Sequence, residues 1–145
     1  MRKHMCVGAL ALSILVSLAA LPAAAKSVNG MRAQVPFDFH VGDRLVPAGS
    51  YTVSSLTGDE MVLRISNRRE AVNTTTNAGQ DKGKAGRPRL VFHKYGDQYF
   101  LVAVWGADNM GRKLQESKRE RRLRKEIQTA RGHASEIEVV TIDAR

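Results

Sequence analysis

"RLVFHKYGDQYFLVAVW", Arg89 to Trp105, is the stretch that decides the fold. Gly96-Asp97 punctuates it as a tight turn between two runs rich in aromatic and β-branched residues, so it reads as a β-hairpin. The second run is apolar on both faces, with Phe100, Val102 and Val104 set against Tyr99, Leu101, Ala103 and Trp105. A strand covered on both sides has this composition, and the expected place for it is the middle of a sheet.

Upstream, the signal is strand after strand. In "MRAQVPFDFHV" the apolar residues Met31, Ala33, Val35, Phe37, Phe39 and Val41 alternate with Gln34, Asp38 and His40. That period of two predicts a half-buried strand with the polar set facing outward. Pro36 cannot donate to a ladder, which predicts an edge position or a bulge there. Pro47-Ala48-Gly49 turns the chain between Leu45-Val46 and Tyr51-Thr52-Val53, and "TGDE" (57–60) turns it again. Met61, Leu63 and Ile65 mark a further one-sided strand, and "AVNTTTN" (71–77) follows after "NRRE" (67–70). The glycine-rich, charged segment 78–88 has no apolar periodicity and reads as a mobile loop.

Downstream of the hairpin, Asn109 to Lys113 reads as a lead into a helix from about Leu114 to Ala130, and Glu136 to Ile142 as a last strand. About seven short strands with tight turns and one late helix predict a mainly β domain, an antiparallel sandwich or barrel.

The strings "VPFDFHVGDRLVPAGSYTV", "LVFHKYGDQYFLVAVWG" and "GRKLQESKRERRL" together resemble a group of small exported bacterial proteins of unknown function. The shared pattern is an opening PFDF strand, an LPAGxY turn, an FHxYGDxYFL hairpin and a basic helix. It spans roughly Val35 to Leu123. The resemblance implies a β-rich exported domain and carries no catalytic or binding residues with it. Val46 stands where the pattern has leucine before the Pro-Ala-Gly turn, a departure that touches only local packing.

The N-terminus agrees with export. Arg2 and Lys3 precede an apolar run from Val7 to Leu21, and small residues stand at Ala23 and Ala25. This is the pattern of a cleaved leader occupying 1–25. The run is about 15 residues, short of the roughly 20 a spanning helix needs. The expected mature chain, 26–145, is a single β-rich domain, periplasmic or secreted, without a transmembrane segment. The chain's one cysteine, Cys6, falls in the leader, so the mature domain has no disulfide, thiol catalyst or cysteine-based metal site. Removing Arg2 and Lys3 leaves 21 basic against 14 acidic residues, a net charge of +7. Such a chain favours acidic partners outside the cytoplasm, namely acidic polysaccharide, lipid head groups or another envelope protein.

The charge is concentrated in "SKRERRLRKE" (117–126), with six basic side chains in ten positions. On a helix Lys118, Arg121, Arg122 and Lys125 share one arc, with Leu123, Ile127 and Ala130 on the opposite side and Glu120 spaced to pair with Arg124. Three readings fit: a solvated surface helix, a polyanion-binding stripe, and a membrane-surface element. Sequence-specific DNA readout is not expected, since no helix-turn-helix, zinc finger or stacking platform accompanies the stripe. His40, His93 and His133 lack metal-ligand spacing, and no nucleophile or phosphate-loop motif occurs, so no cofactor, metal or catalytic residue is assigned. Asp38 with His40, and His93 with Asp97 across the turn, read as surface and turn-stabilising pairs. The alternative is a small hydrolase that gathers them at a sheet edge. A neutral-glycan surface built on aromatics is a further alternative, with Tyr95 as its exposed contact and Trp105 more naturally in the core.

Overall fold

A computed structural model describes residues 28, 30–83, 86–131 and 137–145. The expected leader, 1–25, and His133 lie outside these residues. The strands in chain order are β1 (Met31–Val35), β2 (Phe39–Val41), β3 (Arg44–Val46), β4 (Gly49–Ser55), β5 (Val62–Ser66) and β6 (Ala71–Gln80). They continue as β7 (Arg89–Tyr95), β8 (Gln98–Trp105), β9 (Met110–Leu114) and β10 (Glu138–Asp143), with one helix, α1 (Lys118–Arg131), before the last. Among the described residues the protein is thus mainly β with a single late helix.

The main path of the sheet runs β1-β4-β5-β6-β9-β8, and β7 and then β10 continue it beyond the other edge of β8. Every pair is antiparallel except a single bridge, His40 opposite Phe100, that joins β2 to β8. The sheet rolls up so that its ends meet. Ala33 bridges Ala144, and Arg32 and Arg145 exchange backbone hydrogen bonds of 2.7 and 2.9 Å. The contact stops there, short of a continuous ladder between β1 and β10.

Alternation fills the inside of the roll. Ala33 and Val35 from β1, Tyr51 and Val53 from β4, Leu63 and Ile65 from β5, and Leu90 and Phe92 from β7 all enter one buried cluster. Phe39 sits at its centre, edge-on to Tyr51 and to Phe92 at centroid distances of 5.4 Å. Phe37 lies at the rim, stacked on Tyr99 at 3.9 Å.

Four features differ from the sequence reading. The Met31–Val41 pattern is two strands, because the ladder ends at Val35 before Pro36 and β2 restarts with new partners, β3 and β8. The segment 78–88 is a loop only from Asp81 onward, since Ala78, Gly79 and Gln80 pair with Arg112, Gly111 and Met110. In β8 the two-residue period breaks. Val91 faces Ala103 and Phe92 faces Leu101, leaving Val102 as a bulge. Leu101 and Val104 therefore both belong to the inner cluster, and Phe100 turns to the outside.

Fourth, the chain from Met110 to Leu114 is a strand, not the approach to a helix. Asn109, at a φ of 63°, and the Gly106 amide bonded to the Met110 carbonyl (2.7 Å) fold the chain straight back along β8. Trp105, Gly111 and Gly79 then stand in one row across three strands. The Trp105 indole lies over both glycines, and a Cβ on Gly111 would fall 2.9 Å from Trp105 Cα. Trp105 is buried on this outer face instead of in the inner core. In a loop, Gly111→Ala would be neutral or stabilising by about 0.4–1 kcal/mol. In β9 it is expected to destabilise by about 1–3 kcal/mol, a difference of sign that urea denaturation reads directly.

Candidate functional site

The helix begins where a capping motif places it. Ser117 is followed three residues later by Glu120, the S-x-x-E signature, and Ser117 Oγ accepts the Glu120 amide at 3.0 Å. The second free amide, that of Arg119, donates to Asp43 Oδ1 at 3.2 Å, and the Arg119 guanidinium holds Gln98 Oε1 at 3.0 and 3.2 Å. The start lies at Lys118, four residues after the Leu114 start read from the sequence, because the preceding stretch is committed to β9.

Glu120 does not return to its own cap or pair with Arg124. Its side chain is buried against the sheet, where Oε1 accepts from His93 Nδ1 at 2.9 Å and from the Tyr95 hydroxyl at 3.2 Å. A carboxylate can only accept, so Nδ1 carries the proton. Burial first, and the nearby Glu120 charge second, push the Tyr95 hydroxyl well above the ordinary tyrosine range. Arg124 instead meets Glu116, through Nε at 3.0 Å and Nη2 at 3.1 Å, and Arg121 reaches the same carboxylate at 3.4 Å. Among the described residues, every hydrogen bond between α1 and the strands or the β2–β3 turn involves Arg119 or Glu120 in the first turn.

Behind these bolts lies a cleft of about 390 Å³ between helix and sheet. Val91, Val102, Trp105 and Leu114 line it from the strands, and Glu120 and Arg124 from the helix. Lys113 stands over the Trp105 ring at 5.8 Å.

The Asp and His residues picked out by the sequence are dispersed. Asp38 is exposed and accepts the Ala48 amide at 2.8 Å. His40, expected on an outward face, is 5% exposed and stacks on Phe100 at 4.6 Å. Burial, and then the Arg119 charge, lower its pKa, partly offset by Asp43. His93 pairs with Glu120, and Asp97 stays in the exposed turn, so the expected His93–Asp97 pair does not form. Of these four side chains only His93 lines the cleft. Among the described residues no three His, Asp or Glu side chains are placed to hold a metal ion.

Tyr95, expected as an exposed aromatic contact, is 5% exposed, packed edge-on to Phe100 at 5.8 Å and tied to Glu120. Tyr95, read as solvent-facing beside the turn, sits against the helix, while Gly96 and Asp97 remain exposed. Of the cationic stripe, Lys118, Arg121, Arg122 and Lys125 are all exposed, and among the described residues only Arg121 of the four has an ion pair, with Glu116. Leu123 and Ile127 turn inward, half-buried, while Ala130 is exposed and leaves the seam.

Comparison with protein-family models, with curated proteins and with solved structures returned no match. Among the described residues, no helix is long and apolar enough to cross a membrane.

Removing one partner of the buried node tests its weight. Tyr95→Phe is expected to cost about 1.5–3 kcal/mol, the range for a hydrogen bond to a charged group, measured by chemical denaturation. Two buried phenols, Tyr95 in the node and Tyr51 in the inner core, also set an alkaline limit. Burial raises the Tyr51 hydroxyl to about 12, with Glu70 adding to the shift, and raises Tyr95 as well. Both phenols bind their protons more tightly folded than unfolded, so stability is full below pH ~10, the unfolded value, and falls as pH rises above it. Ultraviolet titration should show these two phenolates appearing with the unfolding transition, not before it.

Proposed function

We propose that the protein is an exported, non-enzymatic interaction module that holds acidic polymers on the outer face of α1. The single observation behind this reading is the sorting of charge around the helix. Of the two acids within α1, Glu120 is buried against His93 and Tyr95, which leaves only Glu126 among the exposed cations. Lys118, Arg122 and Lys125 have no ion pair among the described residues. A face with three unpaired cations and one exposed acid attracts polyanions by releasing their counterions.

The same sorting favours acidic polysaccharide over lipid head groups. An interfacial helix needs an apolar face to bury in the acyl boundary, and the only large apolar residues of α1, Leu123 and Ile127, point back toward the protein. The leader read from the sequence supports the extracytoplasmic setting.

The test uses duplex DNA of defined length as a calibrated polyanion. Three or four neutralised phosphates give a log affinity against log salt slope between about −2.7 and −3.6. K118Q/R121Q/R122Q/K125Q is expected to flatten the slope by that amount without lowering the melting temperature. A slope that the variant leaves untouched sinks the reading.

A further inference from the structure

A concavity of about 970 Å³ lies on the rolled sheet and shares no residue with α1. Its floor follows from strand register. Arg145 and Arg32 exchange backbone hydrogen bonds, Arg32 stands opposite Thr52, and Thr52 opposite Ser66. Directly opposed residues share one face of a sheet. Arg32 is exposed between buried Met31 and Ala33, so that face is the outer one. Gln34 and Ser50, hydrogen-bonded to each other, form the adjoining row. Arg68 and Arg69 rise at the rim from the β5–β6 turn, which is fixed by Asn67 Oδ1 accepting the amides of Arg69 and Glu70 at 2.8 and 2.9 Å.

Folding gives no reason for this arrangement. Like charges directly opposite one another destabilise a sheet, and none of Arg32, Arg68, Arg69 and Arg145 has an ion pair among the described residues. The one acidic side chain in the lining, Glu70, has Oε1 3.1 Å from the Tyr51 hydroxyl. Guanidinium forks match carboxylates in two-point contacts. Between them lie hydroxyl and amide groups, from Ser50, Thr52, Ser66 and Asn67, suited to hydroxyl-rich ligands. Sites for single-stranded nucleic acid add exposed aromatic platforms. Here the only aromatic residue in the lining is Tyr51, 2% exposed.

We infer that this groove is a binding site for acidic oligosaccharides, with uronate carboxylates on the arginines and sugar hydroxyls on the row between them. It stands independently of the helix and its stripe.

The experiment is calorimetric titration of the full chain with a galacturonic acid tetramer at low salt, with a neutral glucose tetramer as control. R32Q/R69Q is expected to weaken binding at least tenfold while leaving the melting temperature at or above that of the unsubstituted chain, because repulsion is relieved. Thr52→Glu, which places a carboxylate beside Arg32, should weaken it at least as much and serves if the first variant folds poorly. In a K118Q/R122Q/K125Q background, which removes the helix stripe, the acidic tetramer should still bind saturably and R32Q/R69Q should still weaken that binding at least tenfold. The proposal is overturned by no saturable binding to the acidic tetramer, by equal binding of the neutral one, or by a loss that follows the helix variant instead.

Discussion

One buried carboxylate orients the basic helix on this molecule. Glu120 lies in the first turn of a strongly basic helix, and leaving it unpaired against the sheet would cost far more than leaving it in water. Its two partners, His93 and Tyr95, are two residues apart on β7 and so share one face of that strand. The helix can satisfy the carboxylate in essentially one rotation about its axis, and that rotation decides which side chains face solvent. The direction of Lys118, Arg122 and Lys125 is therefore a consequence of where Glu120 must go.

That arrangement needs apolar support on both sides of β7 and β8, and the bulge at Val102 supplies it. Without the extra residue, strict alternation would send Phe100 inward with Val104 and Leu101 outward. With it, Leu101 and Val104 fill the roll while Phe100 joins His40 and Tyr95 beneath the helix. The molecule thus has two apolar centres: a large one inside the sheet, and a smaller aromatic one outside that carries a polar node. The inner centre gives the sheet its curvature. The outer one, with its cleft, gives the helix a seat.

Much of the sheet was legible in the sequence. Strands with clean alternation, such as Met31–Val35 and Leu63–Ile65, lie where their pattern puts them, and the turns at Pro47-Ala48-Gly49 and Gly96-Asp97 occur as read. Alternation reports only which side a residue faces, and it is blind to changes of partner. It therefore ran on through Pro36 from β1 into β2, and it could not register the inserted residue in β8. β9 was missed for a different reason. "MGRKL" has little apolar signal of its own, and its place is set by the Asn109 turn and by two glycines under Trp105. The site was half visible. The cationic stripe could be placed by helical spacing alone, whereas Glu120 looked like a surface partner for Arg124. Its S-x-x-E spacing from Ser117 did mark the true start of the helix. Nothing local, however, could announce that His93 and Tyr95 would come to lie beneath it.

The seam between Ala33 and Ala144 joins positions 111 residues apart in the chain. Its formation must wait until Ala144 has been made, so a nascent chain holds β1 with one open flank until then. Topologies that depend on such distant pairings fold slowly, and an exposed strand edge invites pairing with other chains in the meantime. Whatever keeps this polypeptide from self-association during that interval has to act before the seam exists.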